Sequence, residues 1–510
     1  MQRNGVPAGK GFINAGAAAD PMNAFARFTL PVLNVLGYVV LMFAATLMVP
    51  LAFAVIGDDG AQRSFEIALP VTAGAGLLLV LATRRFTREL QTRDGFLLVT
   101  LAWTVLPALA TLPLLLQLQN LSFTDAYFEA MAGLTTTGAT VLTGLDGLPL
   151  SINVWRALLQ WIGGMGILVL AVAILPLLGV GGAQAFKAET AGPLKETKLT
   201  PRIADTAKAL YAVYFSISII CFFALRWAGM TWSDAFMHMC STMGLGGFSS
   251  HDASFGYWNS PLIEYTVVFF MLVAGFNFSM HFLAWRQRSL LVYVRDPQSR
   301  AFVFTALGAS LLIAAFLLAR DVYPDWPTSL RFALFNTVSI ATTTGFASTD
   351  FNQWPIFAPV LMLFLSCFTT CAGSTGGGIK MIRGLILLKQ ARREMTRILH
   401  PRSINPVCIG KQVLENNVIF AILAFMLVYG ASITCLTFLL MLSGLDAISA
   451  FTAIVASINN TGPGLNQVGP ASNFGVLNDF ETWVCTFAML IGRLELFSVL
   501  VLLTPGFWRK

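Results

Sequence analysis

Four short polar runs end in glycine within an otherwise apolar chain: "LTTTGATVL" at 134–142, "GLGGFSSHDAS" at 244–254, "ATTTGFASTD" at 341–350 and "NNTGPGL" at 459–465. Their side chains are poor material for bond-making chemistry. Threonine hydroxyls and backbone carbonyls are oxygen acceptors, and a set of them can replace the water around a cation. No acidic residue stands at the glycine or in the three positions before it in any run. A carboxylate ring selective for divalent ions is thereby disfavoured, and a monovalent cation fits better. A second glycine-dense stretch, "CAGSTGGGIKMIRG" at 371–384, interrupts a long apolar run. Two charges are expected inside spans, Lys380 and Arg493. Charges there are expensive and are functional candidates by default.

Enzymatic chemistry finds little support. Ser374 lies in "AGSTGG", but Ala372 occupies the position where a nucleophile elbow needs glycine, and no H-E-x-x-H occurs. His238, His251, His281 and His400 are too dispersed to suggest a ligand set. The seven cysteines read as small buried hydrophobes, although Cys367 and Cys371 could share a helical face. No phosphate-binding G-x-x-x-x-G-K-[ST] is present, so no nucleotide site is expected in this chain.

The elements that must position the polar runs follow from hydropathy. Of the 510 residues 56% are hydrophobic and 11% charged, against roughly 25% charged in soluble domains. The chain therefore reads as an all-α polytopic membrane protein. Apolar runs of spanning length lie near 29–55, 66–83, 95–118, 152–180, 208–229, 261–285, 301–320, 356–388, 414–443 and 480–503. Trp155, Trp232, Trp258, Trp326, Trp354 and Trp483 fall near segment ends, as interfacial aromatics do. The net charge of +7 comes largely from basic loops, such as Lys187, Lys195, Lys198 and Arg202, or Arg383, Lys389, Arg392, Arg393, Arg397, Arg402 and Lys411. That is a positive-inside pattern, with both termini cytoplasmic, and not the footprint of nucleic acid. No voltage sensor is expected, because no span carries arginine at every third position.

Between paired spans lie semi-polar stretches at 124–138, 233–247, 331–345 and 448–462. Each is too short to cross a bilayer of about 30 Å at about 1.5 Å per residue, but long enough for a re-entrant half-helix. They align by counting: "DAYFEAMAGLTTTG" from Asp125, "DAFMHMCSTMGLGG" from Asp234, "FALFNTVSIATTTG" from Phe332 and "SAFTAIVASINNTG" from Ser449 all reach glycine at offset thirteen. Asp125, Asp234 and Asp446 are expected to cap these half-helices. The expected organisation is a cytoplasmic tail (1–28), a two-helix extension (29–94) and four span–half-helix–span repeats at 95–185, 186–300, 301–411 and 412–510, arranged with pseudo-four-fold symmetry around one ion pore. Half-helices entering from outside aim the partial negative charge of their C-termini at the membrane centre, where it favours a cation.

With these motifs and "GRLELFSVLVLL" near the C-terminus, the chain resembles the TrkH/KtrB family of potassium-translocating membrane subunits, part of a superfamily that includes plant HKT transporters. The two-helix extension is similar to the TrkH branch. The resemblance spans about residues 120–505. It implies a K⁺ filter lined by carbonyls of Thr136, Thr137 and Gly138; Leu245, Gly246 and Gly247; Thr343, Thr344 and Gly345; and Asn460, Thr461 and Gly462. Gly138, where serine accompanies sodium permeation in the superfamily, implies a preference for potassium. The resemblance further implies an intramembrane gate loop at 371–382, with Gly373, Gly376, Gly377, Gly378, Lys380 and Arg493 as gate residues. It also implies a homodimer in lipid, in a bacterial inner membrane, with a cytosolic nucleotide-binding (TrkA-like) regulatory subunit. The other reading of the residues is a secondary carrier with broken helices, an H⁺- or Na⁺-coupled symporter.

Overall fold

The computed structural model describes residues 21–88, 90–169, 203–410 and 412–508. The expected tail before Pro21, the basic residues Lys187, Lys195, Lys198, Arg202 and Lys411, and the boundary between the first two repeats lie outside the described residues. The described chain is mostly helical, with a single two-residue antiparallel ribbon among the described residues, pairing Cys408–Ile409 with Gln412–Val413.

Among the described residues six helices are long and apolar enough to cross a membrane, and two further helix pairs qualify as bent spans. The protein is therefore a multi-pass membrane protein. The first span runs Phe28–Gly57 and the second Gln62–Thr83. They pack tightly on each other: a methyl group on Gly37 would stand 3.0 Å from Gly76 O, the small-residue contact typical of membrane helices. Both lie against the first repeat.

In that repeat a leading span (Thr92–Gln117) is followed by a half-helix (Phe123–Leu134) and a trailing span (Leu150–Val169). The second has Ile203–Trp227, Trp232–Gly244 and Pro261–Gly275; the third Pro297–Ala319, Trp326–Ala341 and Phe357–Phe368; the fourth Asn416–Leu442, Ala447–Ile458 and Asp479–Arg493. Each half-helix packs between its own two spans and also against the trailing span of the preceding repeat, the first half-helix meeting the fourth trailing span. That cyclic order closes the four repeats into a ring.

The half-helices start where the sequence offers a cap. Ser122 accepts from Asp125 N–H, Thr231 from Asp234 N–H, Asp325 from Thr328 N–H and Asp446 from Ser449 N–H. Asp446 is thus a cap itself, whereas Asp125 and Asp234 sit one turn in and bond back to the capping hydroxyl. The third half-helix starts earlier than expected, at Trp326, with a proline in its first turn.

Three trailing spans depart from straight helices. Pro261–Gly275 meets Phe278–Gln287 at 94°, and Asp479–Arg493 meets Leu496–Leu503 at 110°. The runs 261–285 and 480–503 are therefore not continuous helices as hydropathy suggested. Asn277 restarts the first of these as an N-cap for Ser279 N–H, 2.8 Å. In the third repeat the helix stops at Phe368 and resumes at Met381, around the glycine-dense loop. Trp155 and Trp354 are core residues and not interfacial ones, at 0% and 5% exposure. Trp155 donates to Ala110 O at 3.1 Å.

Candidate functional site

All four half-helices end in the same way. The N–H groups of Thr137, Gly246, Thr344 and Thr461 donate five residues back, to Ala132, Ser241, Ser339 and Ala456 carbonyls. This is a Schellman-type close, which needs a left-handed residue just before the donor. Those residues are Thr136, Leu245, Thr343 and Asn460, with φ between 51° and 58°. Two residues on, Gly138, Gly247, Gly345 and Gly462 are also at positive φ, between 78° and 98°. Each loop thus has two left-handed positions, of which the sequence marks only the second with glycine.

The loops meet in a ring. A methyl group on Gly138 would lie 1.8 Å from Gly246 O, one on Gly247 2.1 Å from Thr344 O, one on Gly345 2.1 Å from Thr461 O, and one on Gly462 2.9 Å from Thr137 O. Each glycine therefore lies against the carbonyl that precedes the glycine of the next loop, and the fourth returns to the first. The twelve residues expected in a filter are brought together here, and Thr136, Leu245, Thr343 and Asn460 are fully buried. A cavity of about 320 Å³ opens on the ring, lined by all four glycines together with Thr140, Phe248, His251 and Asp252.

A buried polar side chain ties the strand that leaves each ring glycine back to its half-helix. Glu129 accepts from Thr140 Oγ1 and Val141 N–H (2.9 and 3.1 Å), His238 Nε2 meets Ser249 Oγ (3.0 Å), Asn336 Nδ2 donates to Ser348 Oγ (3.0 Å), and Thr452 Oγ1 accepts from Leu465 N–H (3.0 Å). Glu129, His238 and Asn336 share one offset in the aligned repeats, a signal already present in the sequence. The second loop lacks threonine at the ring. Gln160, in the middle of the first trailing span, fills that space, donating to Gly246 O (2.7 Å) and accepting from Phe248 N–H (3.1 Å).

Lys380 and Arg493 are not the sole charges within the apolar segments. Arg156 pairs with Glu129 at 2.7 Å, both almost fully buried, and its guanidinium lies 4.3 Å from the Phe248 ring centroid. Arg331 pairs with Glu264 at 2.6 Å. Sequence reading passed over these because the partners stand 27 and 67 positions apart. Removing one partner of a buried pair strands the other charge. Arg156→Met is accordingly expected to destabilise the protein by about 3–5 kcal/mol, read as a lower midpoint of thermal aggregation in detergent. An unchanged midpoint would show that the pair does not hold the first loop.

At the cavity rim His251 is clasped by Asp146, to which Nδ1 bonds, and by Asp234, 3.5 Å from Nε2. Its ring stacks on Tyr257 at 3.6 Å between centroids. Burial opposes the imidazolium, but hydrogen bonds and charge from the two carboxylates outweigh it and raise the His251 pKa. The folded value then exceeds the unfolded value of about 6.5. The stabilisation is complete below that value and is lost as pH rises through the folded pKa. The thermal midpoint is expected to fall as pH rises above about 6.5, and to fall less in His251→Gln. Parallel profiles for the two proteins would remove His251 from the account.

The glycine-dense loop lies beneath the ring. Gly377 N–H donates to Thr343 Oγ1 (2.8 Å), Thr370 Oγ1 donates to Gly377 O (2.7 Å), and Thr375 Oγ1 donates to Met243 O (2.9 Å). A methyl group on Gly377 would stand 1.9 Å from Asn459 O. Gly373 and Gly378 are at positive φ (73° and 78°), and Lys380, at φ 82°, bonds Gly376 O. Arg493 is 3% exposed and donates to Thr375 O (2.9 Å) and Gly163 O (3.1 Å). All six expected gate residues therefore gather at one place. Glu495 does not pair with Arg493 but with Arg383, at 2.9 Å.

A family model described as TrkH, cation transport protein, matches residues 65–509. The chain is 46% identical over 482 residues to the Trk system potassium uptake protein TrkH of Vibrio parahaemolyticus, covering 94% of this chain and 99% of the relative. It is 36% identical to the Trk system potassium uptake protein TrkG of Escherichia coli, covering 94% and 98%. The crystal structure of the potassium transporter TrkH from Vibrio parahaemolyticus superposes with a TM-score of 0.87 at 44% identity, covering 94% of this chain and 99% of that one. The chain belongs to the TrkH family of cation transport proteins.

Proposed function

We propose that this protein takes up potassium across the cytoplasmic membrane through the ring of four loops, using backbone carbonyls as the selectivity filter. The observation that carries the reading is the cyclic contact of each ring glycine with a carbonyl of the next loop. Four C-terminal half-helix ends add partial negative charge there. Carbonyls so arranged can replace the hydration shell of an alkali ion. The relatives named as potassium uptake proteins support the choice of ion. The loop at 371–382, with Lys380 and Arg493, acts as the gate. Homodimerisation and a cytosolic nucleotide-binding regulator complete the proposal, with both termini cytoplasmic.

The bends of 94° and 110° also fit a carrier that couples cation entry to protons through broken helices. Ion-replacement uptake by the purified full chain in proteoliposomes separates the two. A channel-like filter predicts Rb⁺ uptake that exceeds Na⁺ uptake and needs no pH gradient. Uptake that requires the gradient would favour the carrier, and equal uptake of both ions would overturn potassium selectivity.

A further inference from the structure

Thr343 occupies a position that its residue type disfavours. Its φ of 58° lies in the left-handed region, where a β-branched residue is an outlier. Backbone strain of this kind persists where surroundings hold it, and it directs attention to what the side chain does. Here the hydroxyl accepts the Gly377 N–H at 2.8 Å. Gly377 in turn is held through its own carbonyl by Thr370 and has no room beside Asn459 O. It cannot leave the ring without breaking the bond to Thr343. The equivalent residues of the other loops make no such bond. Thr136 Oγ1 has no partner among the described residues, Leu245 has no polar side chain, and Asn460 donates to Thr137 Oγ1 and Met489 O.

We propose that Thr343 couples filter and gate: the third filter loop and the glycine-dense loop move together through the Thr343 hydroxyl and Gly377 N–H. This rests on reading 371–382 as the gate. Opening frees a strained residue next to filter carbonyls, so ion preference depends on whether the loop is latched. By reciprocity, the ion held in the filter biases the loop.

Thr343→Val removes the hydroxyl and keeps the shape. In proteoliposomes it is expected to raise basal Rb⁺ uptake roughly fivefold, the size of one lost hydrogen bond, and to lower the Rb⁺/Na⁺ ratio. Thr343→Ser, which retains the hydroxyl, is expected to restore most of the latch. Thr343→Gly removes hydroxyl and strain together and is expected to raise flux like the valine variant, which it replaces if valine prevents folding. In a chain lacking Gly376–Gly378, Thr343→Val is expected to add no further flux, since the contact is already gone. Additive effects would overturn the coupling and leave the gate reading standing. A shortened loop with unchanged basal flux would remove the gate, and the coupling with it.

Discussion

Gly138→Ser is expected to cut the preference for Rb⁺ over Na⁺ by about tenfold or more, equivalent to ~1.4 kcal/mol between the two ions. Two features of the site act together. Gly138 has φ 78°, which side chains with a Cβ resist. A Cβ there would also lie 1.8 Å from Gly246 O, well inside contact distance, so the carbonyl has to move by more than an atomic adjustment. That carbonyl is held from behind by Gln160, and the strain therefore spreads into the second loop. Ring carbonyls displaced in this way no longer match one ion over another. The four positions are not equivalent: the clearance at Gly462 is 2.9 Å, against 2.1 Å at Gly247 and Gly345. Gly462→Ser is expected to lose the least selectivity. Paired uptake of radioactive Rb⁺ and Na⁺ by the four serine variants measures the order. An unchanged ratio in Gly138→Ser would sink the filter assignment.

Arg493→Ala is expected to raise basal Rb⁺ flux by about tenfold or more. Its two bonds, to Thr375 O and Gly163 O, fasten the glycine-dense loop to the first trailing span. A hydrogen bond from a charged group contributes roughly 1.5–3 kcal/mol, enough to shift a closed loop toward open states by that factor. The guanidinium also places a positive charge beneath the ring, which opposes a cation waiting there. Arg493→Lys separates the two effects, because lysine retains the charge but not the planar fork that reaches two carbonyls. Flux at the alanine level would identify the latch as dominant, and flux near that of the unmodified protein would identify the charge. Basal flux unaltered in Arg493→Ala would take this residue out of the gate.

Several of these parts were legible along the chain. The half-helices announced themselves by length, polar composition and glycine at a fixed offset. The break at 371–384 followed from glycine density, and the mid-span position of Arg493 marked it as a candidate. Other parts carried a weaker signal that counting could have found. Asn277 is a helix-capping residue type inside the apolar run at 261–285, and it does restart a helix. Glu129, His238 and Asn336 fall at one offset and all tie their strands. The remaining features had no local signature. Nothing near Arg156 in sequence points to Glu129, and nothing near Gln160 points to Gly246.

The sequence by itself determined the apolar spans, the four repeats and the glycines that permit left-handed turns. These are properties of composition and short-range spacing, and a bilayer enforces them on any chain that crosses it. Tertiary structure alone decided which loop faces which. It set the cyclic glycine-to-carbonyl contacts, bent the trailing spans by 94° and 110°, and put Thr136, Leu245 and Thr343 into a conformation their types disfavour. The physical reason is that such contacts join atoms from separate repeats, and their strain is held only once all four repeats close around the axis.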